Sequence, residues 1–375
     1  FKEFVIFMEK EIIFVGSKGI PNNYGGLEQM TEAISLRLIK RGYKVRVHST
    51  TIHEKRKYWK NIELIKVRQF GNPYFERILR EIIPLIYEIK QRIKEGKNNK
   101  IIHATGAFLF LFLWKLFGFK IIYSTDGLEW RRKSYNLIGK ILVYLGYLIG
   151  SKTADIVTFD TKIIKDYYNK NWNVDGPLIY YGPKSLREEY KSDILRKNNL
   201  SEKNYFIFVG RLVPEKGIDT LIKAYNKSSL KYPLVIIGKD PFDGTYESYL
   251  KNISGPKIQF LGTIFSEDFS YLLKNALIHL RGIKDISEGM NPVLIESLSF
   301  GVGIIATNVE QNIEACGNSA LYFKPDDEKT LFKILKDLDD EKIKTLCKKA
   351  LKRGKKLFSW EKSVDKFEKY YQYLI

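Results

Sequence analysis

Two glutamates eight positions apart, Glu288 and Glu296, flank the start of what the sequence marks as a short helix. Asn291 is a favoured N-cap, Pro292 suits the first helical position, the apolar run Val293 to Phe300 follows, and Gly301 supplies a left-handed stop. The unbonded N–H groups of the first turn make a partial positive end where an anion can sit. A carboxylate beside that site would repel a phosphate, so Glu296 is suited to accept from hydroxyls. A phosphorylated polyol satisfies both demands. An ordinary solvated helix with two surface glutamates is the plain alternative, so the neighbouring loops have to decide.

Two loops supply what such a ligand would need. Gly210-Arg211-Leu212-Val213-Pro214-Glu215-Lys216-Gly217 follows an apolar strand and carries a planar guanidinium and a compact ammonium, which together can neutralise a diphosphate. Gly16 to Glu28 is studded with Gly19, Gly25 and Gly26, which let backbone amides approach an anion closely. Its spacing is neither the dinucleotide fingerprint nor a P-loop. A third loop, Ser124 to Arg131, places Asp126 after a strand, where a carboxylate can orient an attacking hydroxyl or take its proton. Asp-Gly is also a common turn. Glu129 is read as sharing that role or pairing with Arg131 and Arg132. His103 ends an apolar strand, as a sugar contact or as a core or capping histidine.

The elements that must hold these loops alternate regularly. Ile12 to Val15, Lys44 to His48, Ile62 to Val67, Ile101 to His103, Lys120 to Tyr123 and Ala154 to Phe159 read as strands, with helices between them, over Phe75 to Lys94 for example, and a last short strand near Leu178 to Tyr180. A second series begins at Tyr205 to Gly210 and continues through Pro233 to Gly238, Ile258 to Leu261, Ala276 to Leu280 and Gly303 to Ala306. This alternation predicts an α/β protein of two Rossmann-like doubly wound domains facing each other across a cleft. The boundaries read as 8–185 for the first domain, 186–204 for a polar linker, 205–355 for the second domain, and 356–375 for a helix crossing back to the first. Met8, leading straight into the first strand, is the candidate start.

The formal net charge of +20 over 375 residues points to an anionic partner. No recognisable nucleic-acid module accompanies it, so nucleic acid is not expected, and an anionic membrane surface or phosphorylated substrate is. Two cysteines, Cys316 and Cys347, exclude a disulfide scaffold and fit a reducing cytoplasm. The apolar stretches Ala107 to Phe119 and Leu137 to Ile149 are too short to span a bilayer and are broken by Lys115 and Lys140. They read as buried helices or as segments lying in the membrane interface. No metal or cofactor is called for, because Arg211, Lys216 and helix N-termini can stabilise a departing diphosphate as a divalent ion would. Asp326-Asp327 and Asp339-Asp340 read as solvated pairs.

Taken jointly, Glu288 to Glu296, Arg211 with Lys216, and Gly25-Gly26 resemble the retaining glycosyltransferases of family 4, which have the GT-B fold. The resemblance covers nearly the whole chain. It implies that Glu288 and the backbone of Gly289, Met290 and Asn291 hold a donor sugar, that Glu296 holds a nucleotide ribose, and that Arg211 and Lys216 hold the diphosphate. Gly25 and Gly26 would complete the donor site, with His103, Asp126 and Glu129 on the acceptor side. A narrower resemblance, through Gly19-Ile20-Pro21, Tyr24 to Glu28, Asp126 to Arg132 and Asn291-Pro292, is to rhamnosyltransferase-like enzymes of bacterial capsule and O-antigen assembly. The expected activity is metal-independent sugar transfer, rhamnosyl transfer included, from a nucleotide-diphosphate donor to a lipid-linked or oligosaccharide acceptor at the inner membrane face. A catalytically inert sugar-nucleotide-binding or membrane-docked scaffold of the same fold is the other reading.

Overall fold

The computed structural model describes residues 10–21, 25–50, 57–67, 73–96, 99–132, 135–184, 190–264, 266–284 and 289–375. The chain divides into two compact units: 1–181 with 287–289 and 360–375, and 182–286 with 290–359.

The first unit runs β1 (Glu11–Val15), α1 (Gly26–Lys40), β2 (Lys44–Ser49), β3 (Tyr58–Trp59), β4 (Ile62–Lys66), α2 (Pro73–Glu95), β5 (Lys100–Thr105), α3 (Leu111–Leu116), β6 (Lys120–Ser124), α4 (Leu137–Thr153), β7 (Ile156–Thr158) and α5 (Lys162–Trp172). The second runs α6 (Ile194–Lys197), β8 (Phe206–Val209), α7 (Ile218–Lys227), β9 (Leu234–Ile237), α8 (Thr245–Asn252), β10 (Ile258–Gly262), α9 (Ser266–Asn275), β11 (Ile278–Arg281), α10 (Pro292–Ser299), β12 (Gly303–Thr307), α11 (Glu310–Cys316), β13 (Ala320–Phe323), α12 (Glu328–Lys336) and α13 (Asp340–Leu357). The last helix, α14 (Trp360–Leu374), belongs to the first unit.

The strand orders are β3-β4-β2-β1-β5-β6-β7 and β10-β9-β8-β11-β12-β13. Apart from β3, which pairs antiparallel with β4, the ladders are parallel. Both orders reverse direction beside their first strand, between β1 and β5 and between β8 and β11, where the loops leaving the carboxyl ends diverge and leave room for a ligand. Central strands such as β1, β8 and β9 are nearly continuous apolar runs because helices cover both faces. In β8 and the residue before it, Phe206 and Phe208 join one core cluster while Tyr205 and Ile207 join the other; in β9 Leu234 and Ile236 alternate likewise with Val235 and Ile237. Leu195 and Leu200, from the stretch read as linker, are buried in the second of these clusters.

Two strand readings are corrected. β7 spans only Ile156–Thr158, since Asp155 turns its side chain to accept from the Ile121 amide at 2.8 Å. Residues 178–180 contribute a single bridge from Leu178 to Phe159 rather than a strand. The acidic pairs read as solvated include two helix caps: Asp327 accepts from Thr330 N at 3.0 Å and Asp339 from Lys342 N at 2.7 Å; the Thr330 hydroxyl and then its amide lower the Asp327 pKa, and the Lys342 amide lowers that of Asp339.

Candidate active site

In the second unit, the loop after β8 closes through a short 3-10 turn, Pro214–Lys216, that ends on Gly217 in the left-handed region at φ 61°. A Cβ on Gly217 would sit 2.3 Å from the Gly282 carbonyl oxygen, so only glycine lets this loop pack against the chain leaving β11. Lys284 N donates to Glu215 O at 3.0 Å and fastens the two loops together. Lys216 is thereby 8% exposed at the switch point, while Arg211 remains exposed. A mostly buried ammonium and an exposed guanidinium on one loop can meet a diphosphate from two directions.

Helix α10 starts as its sequence dictates. Asn291 has extended backbone and its side chain accepts from Leu294 N at 3.1 Å, with Pro292 in the first turn. Gly301, at φ 70°, follows the end of the helix. Met290 is buried and Asn291 half-buried. Glu296 lies one turn into α10 at 2% exposure, and its Oε1 accepts from the Lys184 backbone amide at 3.3 Å. Glu288 lies outside the described residues. A support the sequence did not reveal braces the segment leading toward it. Buried Arg281 donates to Asn312 Oδ1 at 2.8 Å, Asn312 donates to Thr307 O at 2.9 Å, and Thr307 donates to Ile283 O at 2.6 Å. Nothing in the local sequence marks Asn312, because its partners come from two other strand ends.

In the first unit, Gly16 and Gly19 are the glycines whose freedom the loop uses, at φ 97° and 107°. A Cβ on Gly16 would lie 2.0 Å from Thr105 O, so the loop after β1 presses on the end of β5. Gly25 has extended backbone and caps α1, and Gly26 is the first residue of that helix. Buried Glu28 reaches back from α1 to accept from Lys18 N at 2.8 Å, and Thr50 N donates to Lys18 O at 2.9 Å. Glu28 is thus a positioning residue for the glycine loop.

Asp126, after β6, is partly exposed and its Oδ1 accepts from Gly127 N at 2.8 Å. Asp160, two residues past β7 and 3% exposed, is a second carboxylate at the same sheet edge, missed from the sequence. Gly289 clusters with this unit, and a Cβ there would stand 2.7 Å from Asp160 Oδ2 and 3.1 Å from Asp126 Oδ1. Burial first, then the charges of Asp160 and Asp126, push the Tyr181 hydroxyl well above its ordinary pKa, so it stays a neutral donor.

Two acceptor-side residues take the structural one of the two readings the sequence left open. His103 is fully buried, with Nδ1 bonded to Tyr371 Oη at 2.6 Å and Nε2 to Ser124 Oγ at 2.7 Å, and its ring stacks on Phe14. Burial lowers its pKa to about 3, so it is a neutral core residue with no nitrogen left for a sugar. Glu129 pairs with Arg132 at 2.8 Å and accepts from Tyr147 Oη at 3.1 Å, while Arg131 stacks on Tyr167 instead. Its carboxylate holds the turn after β6 together.

Residues 191–371 match the family model described as glycosyl transferases group 1, and residues 9–184 match a model described as a domain of unknown function, DUF1972. An uncharacterized glycosyltransferase of Haemophilus influenzae is 24% identical over 302 residues, 77% of this chain and 79% of that protein. The O-antigen chain mannosyltransferase B of Escherichia coli is 26% identical over 175 residues, 45% of each chain. Among solved structures, Anabaena HepE in complex with UDP and glucose superposes with a TM-score of 0.72 at 15% identity, covering 98% of this chain and 100% of that one. The two sheets share the GT-B fold of these solved structures, and the glycosyl transferases group 1 match over residues 191–371, together with relatives named as glycosyltransferases, supports a glycosyltransferase activity.

Proposed function

We propose that the protein is a retaining enzyme of the family 4 type that transfers a hexose or deoxyhexose from a nucleotide-diphosphate donor to a hydroxyl of a lipid-linked or oligosaccharide acceptor. The product would enter a cell-surface polysaccharide, and the protein would act peripherally at the inner face of the membrane. The observation that carries this reading is Lys216, a mostly buried ammonium held by glycine-dependent packing at the switch point of the second sheet. The first matched O-antigen enzyme transfers mannose by its name, and the HepE structure holds UDP and glucose, which supports a nucleotide-sugar donor. The rhamnosyltransferase-like motifs keep rhamnose among the sugars to test.

In this scheme the second unit binds the donor. The bond from the sugar C1 to the diphosphate oxygen breaks, its electron pair leaves with the diphosphate, and Arg211, Lys216 and the N-terminus of α10 stabilise that charge. Glu288 orients the sugar and Glu296 the ribose. The acceptor hydroxyl attacks from the same face, and its proton passes to Asp126 or to the departing phosphate. Asp160, beside Asp126, would fix the acceptor's second hydroxyl. No step calls on a metal ion.

A thermal-shift screen of UDP-, GDP-, dTDP- and ADP-sugars identifies the donor, since a ligand at about 100 times its Kd adds roughly 2.7 kcal/mol to stability. Transfer from that donor should persist in EDTA and fall by about a thousandfold or more in Lys216→Ala or Glu288→Ala with the melting temperature retained. Near-normal turnover in either variant overturns the assignment. Binding without any transfer would instead favour the inert scaffold.

A further inference from the structure

Helix α4 is built inside out. A helix on a water-soluble protein normally turns its large apolar side chains inward and its small or polar ones outward. Here the buried face is Gly139, Val143, Gly146, Tyr147, Gly150 and Ser151, with Tyr147 its one large side chain, and the glycines are needed there. A Cβ on Gly146 would stand 2.9 Å from the Ala107 Cβ, and one on Gly150 2.9 Å from Tyr123 Cζ. The helix therefore lies close upon β6 and the chain after β5, with Gly146 O accepting from Phe108 N at 3.2 Å. Its opposite face presents Leu137, Ile138, Ile141 and Leu145, with Ile141 three or four positions from each of the other three, and with Leu137 74% and Ile138 65% exposed. Helix α3, packed against α4, adds Phe112, Leu116 and Phe117, with Leu116 77% exposed. Large apolar groups concentrated in this way mark a surface meant for something other than water.

The charges say what covers it. Residues 111–120 and 137–153 contain Lys115, Lys120, Lys140 and Lys152 and not one aspartate or glutamate; Lys115 is paired with Asp155, which leaves Lys120, Lys140 and Lys152 to meet an anionic surface. A second copy of this chain in a two-fold contact would set lysine against lysine. An anionic lipid surface meets both features at once, apolar side chains entering the acyl boundary and ammonium groups meeting phosphates. No described helix is long and apolar enough to cross a membrane, and α4, at 17 residues, is about 25 Å long. We infer that the outward faces of α3 and α4 form a docking surface that lies in the interface of an anionic bilayer, with Leu137, Ile138, Ile141 and Leu145 inserted. This rests on the proposed transfer to a lipid-linked acceptor and names the surface that would bring the first unit to it.

The test uses the full chain without donor or acceptor, floated with phosphatidylcholine vesicles and with vesicles that carry about one-third phosphatidylglycerol. The wild type should bind the anionic vesicles roughly tenfold better than the neutral ones, and Ile141→Gln/Leu145→Gln should lose about tenfold of that binding at an unchanged melting temperature. In Ile141→Trp, emission should shift to the blue on anionic vesicles. Binding by the glutamine variant equal to wild type, or no binding by wild type to either vesicle, overturns the inference. So does a wild-type dimer that the glutamine variant converts to a monomer in light scattering, which would assign the face to a second copy. Failed flotation leaves the transfer reading standing, whereas normal flotation with no sugar transfer from any donor overturns the transfer reading alone.

Discussion

Asp126 and Asp160 show what one residue can and cannot announce. Asp126 was legible because Asp-Gly after an apolar strand places a carboxylate at a sheet edge. Asp160 stands in Phe159-Asp160-Thr161, which has no pattern of its own, and it gains its meaning only from β7 running beside β6. With both carboxylates against Gly289, Asp160→Asn should lower kcat by roughly a hundredfold while the donor-induced thermal shift stays at its wild-type size. A variant with normal kcat would remove Asp160 from the acceptor site, and one that loses the donor shift would make its role structural. His103 teaches the reverse lesson. Its place at a strand end left a sugar contact and a core role both open, and Tyr371, 268 positions away, decides for the core by occupying one of its nitrogens.

At the scale of elements, the start of α10 was written in its own residues: Asn291 caps it and Pro292 opens it, both local effects. The loop from Gly210 to Gly217 was legible as a cation-bearing turn, though not its dependence on Gly217. Alanine there would be forced into left-handed backbone with its Cβ 2.3 Å from a carbonyl oxygen. Gly217→Ala should therefore destabilise the second unit by roughly 1–3 kcal/mol in denaturant unfolding. An unchanged midpoint would mean that the loop packs differently. In α4 the short apolar run suggested a buried helix or a segment in the membrane interface and left its inside and outside undetermined, because an apolar run does not say which side faces the sheet.

At the scale of the whole molecule, the two units repeat one plan. Each buries a neutral histidine on the strand beside its first one: His103 on β5, next to Phe14, and His279 on β11, next to Ile207. Each bonds a serine hydroxyl, Ser124 at 2.7 Å and Ser297 at 2.9 Å. Burial lowers both pKa values to about 3, with Arg281 adding to the effect at His279. The unfolded chain takes up these protons near pH 6.5 and the folded one does not, so each unit loses stability as pH falls from about 6.5 toward 3. The loss is roughly 1.4 kcal/mol per pH unit for each histidine. The imidazole proton resonances of both should stay in their neutral positions at pH 5. Titration of either ring near pH 6.5 would refute the burial.

The sequence by itself determined the alternation of strands and helices, the doubly wound class, the Asn291 cap of α10 and the loops that carry Arg211, Lys216 and Asp126. These follow from periodicity and capping, which act over a few neighbouring residues. Only the tertiary structure decided that Glu296 is buried against the Lys184 amide, that His103 belongs to the core, that Asp160 joins Asp126, and that α4 turns its leucines outward. Burial and pairing are set by residues far apart in the chain, brought side by side by the order of the strands.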